Sequence, residues 1–336
     1  AIMSTPAEAV AGTRAYLTIC FIGIPCITAY NIIAAIYRGL GDSKSPMYFI
    51  AVACAANIVL DLVFMGALGM GPVGAALGTT LSQAISVVVS LAAILKRGLD
   101  GVQLQKSDFR PRRAIIGRIL RVGVPVAMQD GLIQISFLII TVIANRRGLT
   151  DAAAVGVVEK FISFVFLVPS SMLSTVSALG AQNIGAGKIP RVKAGGRAGM
   201  AIGLSISAAL AVLYVLLRSL LVGAFLENPV GATLEEGMRF LLIVSPFFPI
   251  LAIKLVSDGM LRGAGVMRYF MISTFTDLVL RVVLAKAFSD LMSSSTGIWL
   301  AWPVGWIVAT AISATFYLRG VWDKEKAEKE ADAAAV

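Results

Sequence analysis

The chain is organised around residues 37–83, which read YRGLGDSKSPMYFIAVACAANIVLDLVFMGALGMGPVGAALGTTLSQ. It places one carboxylate, Asp61, inside a long apolar run. An ionised Asp near the middle of a membrane span costs roughly 2.5 to 3.5 kcal/mol, so it is retained where it has a partner or a function. Asn57 lies one helical turn earlier on the same helix face, and the pair would suit a small cation or a proton. The alternative is an Asp near a helix end that reaches interfacial water.

The composition of the chain is that of a polytopic membrane protein. Hydrophobic residues make up 58% of the sequence, charged residues 14%, and the mean hydropathy is +0.86. The absence of histidine excludes Ser-His-Asp catalysis and His-ligated metals, so we expect neither an enzyme nor a bound cofactor. The net charge of +10 comes from basic residues in short connections between apolar segments, which indicates membrane topology rather than nucleic-acid binding.

Nine apolar segments are long enough to span a bilayer, and each is predicted to be a helix. They cover residues 14–37, 46–68, 72–95, 117–145, 152–181, 198–222, 234–261, 266–289 and 297–318. Lys and Arg are concentrated in alternate connections, which we place in the cytoplasm. Arg281 and Lys286, late in the eighth segment, are expected to extend toward the outer interface.

The longest polar connection divides the segments into two bundles. We predict a partial first lobe at residues 1–97, a cytoplasmic linker at 98–114, a second lobe at 115–319 and a cytoplasmic tail at 320–336. The predicted fold class is therefore an all-α polytopic membrane protein with two lobes.

The sequence also contains an internal repeat. Pro25 matches Pro249, the Arg38 turn matches the Arg262 turn, and the run NIVLDLVF at 57–64 matches DLVLRVVL at 277–284. Six helices separate the two copies, so the copies share one orientation and are parallel repeats. Three helices precede the second copy without a counterpart ahead of the first. We therefore expect the chain to hold helices four to twelve of a twelve-helix parent.

An ordered set of motifs carries a family resemblance. The motifs are YRGLGDSKSP, NIVLD, GMGPVGAALGTTLSQ, GVPVAMQ and ALGAQNIGAGK. In this order they resemble the prokaryotic multidrug and toxin extrusion (MATE) family of secondary transporters. The resemblance implies two six-helix lobes that exchange an outward-moving organic cation for an inward-moving proton or sodium ion. It also implies a first-lobe cation or proton site, completed by an Asp on a helix upstream of residue 1. The matching positions in this sequence are Asn31, Asn57, Asp61 and Thr79.

The second lobe offers four candidate residues for a substrate cleft. Some family members have a Glu at the position of Gln134, whose neutral amide cannot take up a proton. Asp130, one turn earlier, either replaces that Glu or only hydrogen-bonds near the helix start. Lys254 and Asp258 are spaced to neutralise each other, either as a structural pair or as part of the cleft.

The leading functional hypothesis is cation-coupled antiport, driven by protons or sodium ions, that exports drug-like organic cations by alternating access. The alternatives are a flippase for lipid-linked saccharides, which cationic cleft residues such as Lys254 would favour, and a non-functional fragment of the antiporter. The expected partners are the lipid bilayer and a small organic cation, with no nucleic acid. We expect a monomer in the cell membrane of a bacterium or archaeon.

Overall fold

The computed structural model describes residues 7–98, 110–145, 149–224, 226 and 231–323, and these residues are helical apart from short turns. The fold class is confirmed as an all-α polytopic membrane protein. The helices are α1 (Ala7–Gly39), α2 (Lys44–Asp61), α3 (Gly71–Arg97), α4 (Arg113–Asn145), α5 (Leu149–Gly185), α6 (Ile189–Leu216), α7 (Arg218–Gly223), α8 (Ala232–Val244), α9 (Phe248–Gly263), α10 (Met267–Met292) and α11 (Thr296–Leu318). Most of the predicted linker 98–114, and the tail from residue 324, lie outside the described residues.

Seven helical runs within the described part of the chain are long and apolar enough to cross a membrane. They are residues 10–39, 44–67, 71–96, 113–145, 189–216, 232–263 and 296–318. Helices α5 and α10 cover the two remaining predicted segments, 152–181 and 266–289. Helix α10 is more polar than the other long helices because it carries two pairs of oppositely charged side chains, Asp277 with Arg281 and Lys286 with Asp290.

Two of the predicted spans are interrupted in the structure. The segment predicted at 198–222 begins earlier, at Ile189, and breaks at Leu217. There the guanidinium of Arg218 donates to the Val215 carbonyl at 2.7 Å and takes an acceptor that would serve the helix backbone. The segment predicted at 234–261 is two helices, α8 and α9, joined by a 3₁₀ turn at Ser245–Phe247. Pro246 lies in that turn and lacks the amide hydrogen that a continuous helix needs.

The first compact unit, Ala1–Arg110, contains α1, α2 and α3. Helix α1 lies directly on α3 at Gly23, where a Cβ would meet the Thr80 side chain at 2.8 Å. A small core joins α1 to α2, with the rings of Tyr37 and Phe49 5.6 Å apart. Many apolar side chains of these helices are exposed, as expected for surfaces in contact with lipid.

The second compact unit, Pro111–Val336, contains α4 to α11. Its core is aromatic: Trp299, Trp302 and Trp306 of α11 are each 1% exposed. Helix α9 is buried behind α11 and approaches α5 so closely that a Cβ on Gly259 would lie 2.7 Å from the Leu173 carbonyl oxygen. Lys254 and Asp258 of α9 and Asp277 and Arg281 of α10 are therefore enclosed in packed protein.

Candidate functional site

The predicted pair on α2, Asn57 and Asp61, faces α3 at Gly78. A Cβ at position 78 would overlap Asp61 Oδ1 and would lie 3.5 Å from Asn57 Nδ2. Glycine therefore lets the α3 backbone approach both side chains directly. Asp61 Oδ1 and Asn57 Nδ2 are both buried, and neither has a hydrogen-bond partner among the residues that the structure describes.

The backbone of α2 changes its winding immediately after Asp61. Residues Leu62–Ala67 form a π-helix that continues the same helical run. Short π-helical segments within α-helices occur frequently at functional sites. Asp61 is the seventeenth residue after Lys44, which places it about 26 Å along the helix at 1.5 Å per residue. The carboxylate thus lies about halfway between the middle of the span Lys44–Ala67 and its far end.

Helix α1 contributes a third side to this site. The Asp61 carboxylate interacts electrostatically with the hydroxyl of Tyr16 on α1. Thr80 of α3 donates to the Ile19 carbonyl of α1 at 3.4 Å, which holds the two helices together at this level. The spacing of Asn57 and Asp61 could not indicate Tyr16, because its proximity depends on how α1 packs against α3.

The other two residues of the predicted first-lobe site occupy different positions. Thr79 follows Gly78 on α3 and is half-buried. Asn31 lies on an exposed part of α1, and its amide nitrogen donates to the Ile27 carbonyl of its own helix at 3.0 Å. The structure therefore joins Asn57 and Asp61 at Gly78, puts Thr79 beside them in the chain, and gives the Asn31 amide a local partner.

This arrangement has the chemistry of a small monovalent cation or proton site. One carboxylate neutralises one positive charge, and the Asn57 amide can donate a hydrogen bond from its NH2 group to that carboxylate or, after rotation, offer its oxygen to the cation. Within the described part of the chain no three Asp, Glu, His or Cys residues are grouped as they would be around a metal ion. A sodium ion or a proton fits the single acidic group better than a divalent metal does.

In the second unit, Lys254 and Asp258 form a fully buried ion pair. Lys254 Nζ lies 2.7 Å from Asp258 Oδ2, and the two side chains are 4% and 0% exposed. The other carboxylate oxygen accepts a hydrogen bond from Ser313 of α11, which also contacts Ser273 of α10. Ser273 in turn donates to the Ala309 carbonyl at 3.0 Å. The pair is therefore the start of a polar chain that crosses three helices.

The other two cleft candidates are on α4, and both are exposed. Asp130 interacts electrostatically with Arg262 at the end of α9, and Gln134 lies one turn further along α4. The four candidates thus divide into an exposed pair on α4 and a buried pair on α9.

Sequence reasoning missed a second buried ion pair, Asp277 with Arg281 on α10. Arg281 Nη2 lies 2.7 Å from Asp277 Oδ2, and the side chains are 4% and 8% exposed for Arg281 and Asp277. The expectation that Arg281 extends to the outer interface is therefore wrong, because a carboxylate one turn earlier and the Trp302 ring hold it in the protein. Lys286 is exposed and pairs with Asp290 at 2.9 Å. The i, i+4 spacing of Asp277 and Arg281 is the signal that could have revealed the pair.

Comparison with known proteins gives consistent matches along this chain. The MatE family model matches residues 1–63 and 125–286. The chain is 28% identical over 326 residues to the probable multidrug resistance protein YpnP of Bacillus subtilis (strain 168), covering 97% of this chain and 72% of that protein. It is 26% identical over 334 residues to the probable multidrug resistance protein YoeA of the same strain, covering 97% and 71%.

Solved structures share the fold. A crystal structure of MATE in complex with MaL6 matches with a TM-score of 0.89 and 21% identity, over 96% of this chain and 73% of that one. An outward-facing multidrug resistance MATE family transporter of the MOP superfamily matches with a TM-score of 0.88 and 22% identity, over 96% and 72%. Since the family match extends over most of the sequence and the helices follow the same fold, this chain belongs to the MatE family, the multidrug and toxin extrusion transporters of the membrane.

Proposed function

We propose that this protein exports organic cations in exchange for an inward-moving monovalent cation, and that Asp61 with Asn57 binds the coupling ion. The ion is a proton or sodium, and no other cofactor takes part. The protein acts as a monomer in a bacterial cytoplasmic membrane, a source that the Bacillus relatives favour.

The observation that carries this proposal is the pair of unpartnered atoms at the α2–α3 contact. Asp61 Oδ1 and Asn57 Nδ2 are buried against Gly78 without a hydrogen-bond partner in the described residues. Asp61 as a whole is half-buried, but a carboxylate oxygen removed from water without a partner is costly unless a proton or a cation neutralises the group. The site is therefore arranged to be completed by a cation from solution.

Coupling requires that ion binding favour one conformation over another. Asp61 lies at the contact of α2 and α3 and at the start of the π-helix, so its charge state acts on both features. With the cation bound, the carboxylate tolerates the close α3 backbone. With the cation released, the ionised Asp61 carboxylate favours any conformation in which it is hydrated.

The alternative of a lipid-linked saccharide flippase rested on cationic side chains that line a cleft. Lys254, the main cation available for that role, is buried and neutralised by Asp258. It cannot bind an anionic headgroup without first breaking this pair. The geometry of Lys254 therefore does not favour the flippase.

Transport by the Asp61→Asn variant tests the proposal. The chain is reconstituted into proteoliposomes, and efflux of ethidium, a fluorescent organic cation, is driven by an imposed pH or sodium gradient. Asp61→Asn keeps the side-chain volume and removes the charge, so gradient-driven efflux should be abolished while insertion is unchanged. Asp290→Asn is the matched control, because Asp290 is 61% exposed and should transport at the wild-type rate.

Two results would contradict the proposal. The first is efflux at the wild-type rate in Asp61→Asn, which would mean that this carboxylate does not bind the coupling ion. The second is the absence of gradient-driven efflux in the wild-type chain under both gradients, which would mean that the chain is not an antiporter on its own.

A further inference from the structure

The internal repeat relates the ion pair on α10 to the proposed ion site on α2. In the alignment of residues 57–64 with residues 277–284, Asn57 corresponds to Asp277 and Asp61 corresponds to Arg281. Each pair is spaced by one helical turn, so each presents its two side chains on one helix face. The two units therefore place polar residues at the same positions of corresponding helices.

The two carboxylates also share one packing feature, a glycine of the following helix. In the first unit, Gly78 of the following helix lies against Asp61 Oδ1. In the second unit, Gly305 of the following helix lies against Asp277, and a Cβ there would be 2.9 Å from Asp277 Oδ1. In both units this Oδ1 is buried without a hydrogen-bond partner among the described residues. Each carboxylate thus lies under a glycine of the next helix with one oxygen free.

The two sites differ in where the positive charge comes from. Arg281 holds its guanidinium 2.7 Å from the second oxygen of Asp277, and the carbon at its centre lies 4.4 Å from the centroid of the Trp302 ring. Contact with the face of an indole adds cation–π attraction to the ion pair. In the first unit the corresponding position is itself the carboxylate, Asp61, and the neighbouring side chain is the neutral Asn57.

Other charges around Asp277 are already neutralised or distant. From α9, Lys254 and Asp258 pair with each other and reach α10 through Ser313 and Ser273. Helix α11 contributes no charged side chain between Thr296 and Leu318. On α4, Asp130 is exposed and interacts electrostatically with Arg262. Arg281 is therefore the cation that balances Asp277.

We infer that Asp277 marks a second cation site of the same design, which the chain keeps permanently filled with its own Arg281. This inference rests on the proposed function, because it takes the Asp61 site as the one that exchanges its ion. The guanidinium, bound to Asp277 Oδ2, supplies the positive charge that a proton or sodium ion supplies in the first unit. Ion exchange is thereby confined to the Asp61 site, because Arg281 prevents Asp277 from acting as a second exchanging site.

Removal of the guanidinium should convert Asp277 into an open site. The free carboxylate then needs a proton or a sodium ion, and each can be detected. Dicyclohexylcarbodiimide reacts with protonated carboxyl groups in apolar surroundings, and mass spectrometry locates the modified residue. Bound sodium is detected as protection from this reagent and as a rise in melting temperature relative to choline.

The experiment compares wild type, Arg281→Gln, and Asp277→Asn/Arg281→Gln as full chains in detergent. Lys286→Gln is the matched control, since it removes one charge from the same helix at an exposed pair. We expect labelling of Asp277, or sodium-dependent stabilisation, to appear in Arg281→Gln and to be lost in the double variant. Wild type and Lys286→Gln should show neither effect at Asp277. Arg281→Ala, which leaves room for a hydrated ion, is a second variant for the same measurements.

Two outcomes would overturn the inference. One is a folded Arg281→Gln or Arg281→Ala protein that shows neither labelling at Asp277 nor a response to sodium. The other is an Arg281→Gln protein that folds under no ionic condition and is rescued only by Asp277→Asn, because an external cation would then be unable to replace the guanidinium. Labelling at Asp61 is mapped separately in every sample, so failure of the first-unit proposal is distinguishable from failure of this one.

Discussion

Separating the buried pair on α9 should destabilise the second unit more than removing the pair altogether. Lys254 and Asp258 are 2.7 Å apart with side chains that are 4% and 0% exposed. Removing one member leaves a buried charge, which costs about 3 to 5 kcal/mol. After Lys254→Met, Asp258 still accepts a hydrogen bond from Ser313. After Asp258→Leu, the ammonium loses the one carboxylate to which it is bonded, so this variant should lie at the upper end of the range.

The assay is a double-mutant cycle on the melting temperature in detergent. For a unit of this size, 3 to 5 kcal/mol corresponds to a loss of roughly 6 to 20 °C in each single variant. The double variant Lys254→Met/Asp258→Leu leaves no unpaired charge, and Ser313 retains its contact with Ser273, so most of that loss should be recovered. Because the pair is enclosed in the core, the double variant should also transport. Strictly additive losses would refute the reasoning, and a stable but inactive double variant would place the pair in the substrate path.

Two further substitutions test local features of the first unit. Gly78→Ala should place a methyl group against Asp61, lower the free energy of unfolding by about 1 to 3 kcal/mol and abolish gradient-driven efflux. Gly66→Ala is the control, because a Cβ there meets open space, and it should change neither the melting temperature nor the efflux rate. Asp42→Ala should cost about 1 kcal/mol at pH 7, because Asp42 caps the start of α2. The Ser45 hydroxyl, followed by the Ser45 amide, holds the pKa of Asp42 below its usual range. This stabilisation is therefore present at neutral pH and is lost as the pH falls through that lowered pKa. The difference in melting temperature between wild type and Asp42→Ala should therefore be smaller at pH 3 than at pH 7, and an unchanged difference would rule out the capping role.

The sequence was sufficient to predict features that depend on one helix. Apolar length predicted the spans, and i, i+4 spacing placed Asn57 with Asp61 and Lys254 with Asp258. Contacts between helices could not be predicted in this way. The approach of Gly78 to Asp61 depends on the register of α3 against α2, and the bond from Ser313 to Asp258 joins residues that are 55 positions apart. The position of Arg281 late in its apolar segment predicted the outer interface, whereas its i, i+4 spacing from Asp277 indicates the buried pair.

The two units hold similar carboxylates, Asp61 and Asp277, in different surroundings. Asp277 lies in a unit whose core contains three buried tryptophans, one of which covers its guanidinium partner. Asp61 lies among three helices with a smaller core, at the point where α2 changes from α-helical to π-helical winding. An ion that must enter and leave requires local opening, which costs least where few buried contacts resist it. The Arg281 guanidinium is part of the chain and does not leave Asp277, so it does not require local opening and can be held in a densely packed region. The difference in packing thus follows the difference in proposed role, with exchange at Asp61 and permanent neutralisation at Asp277.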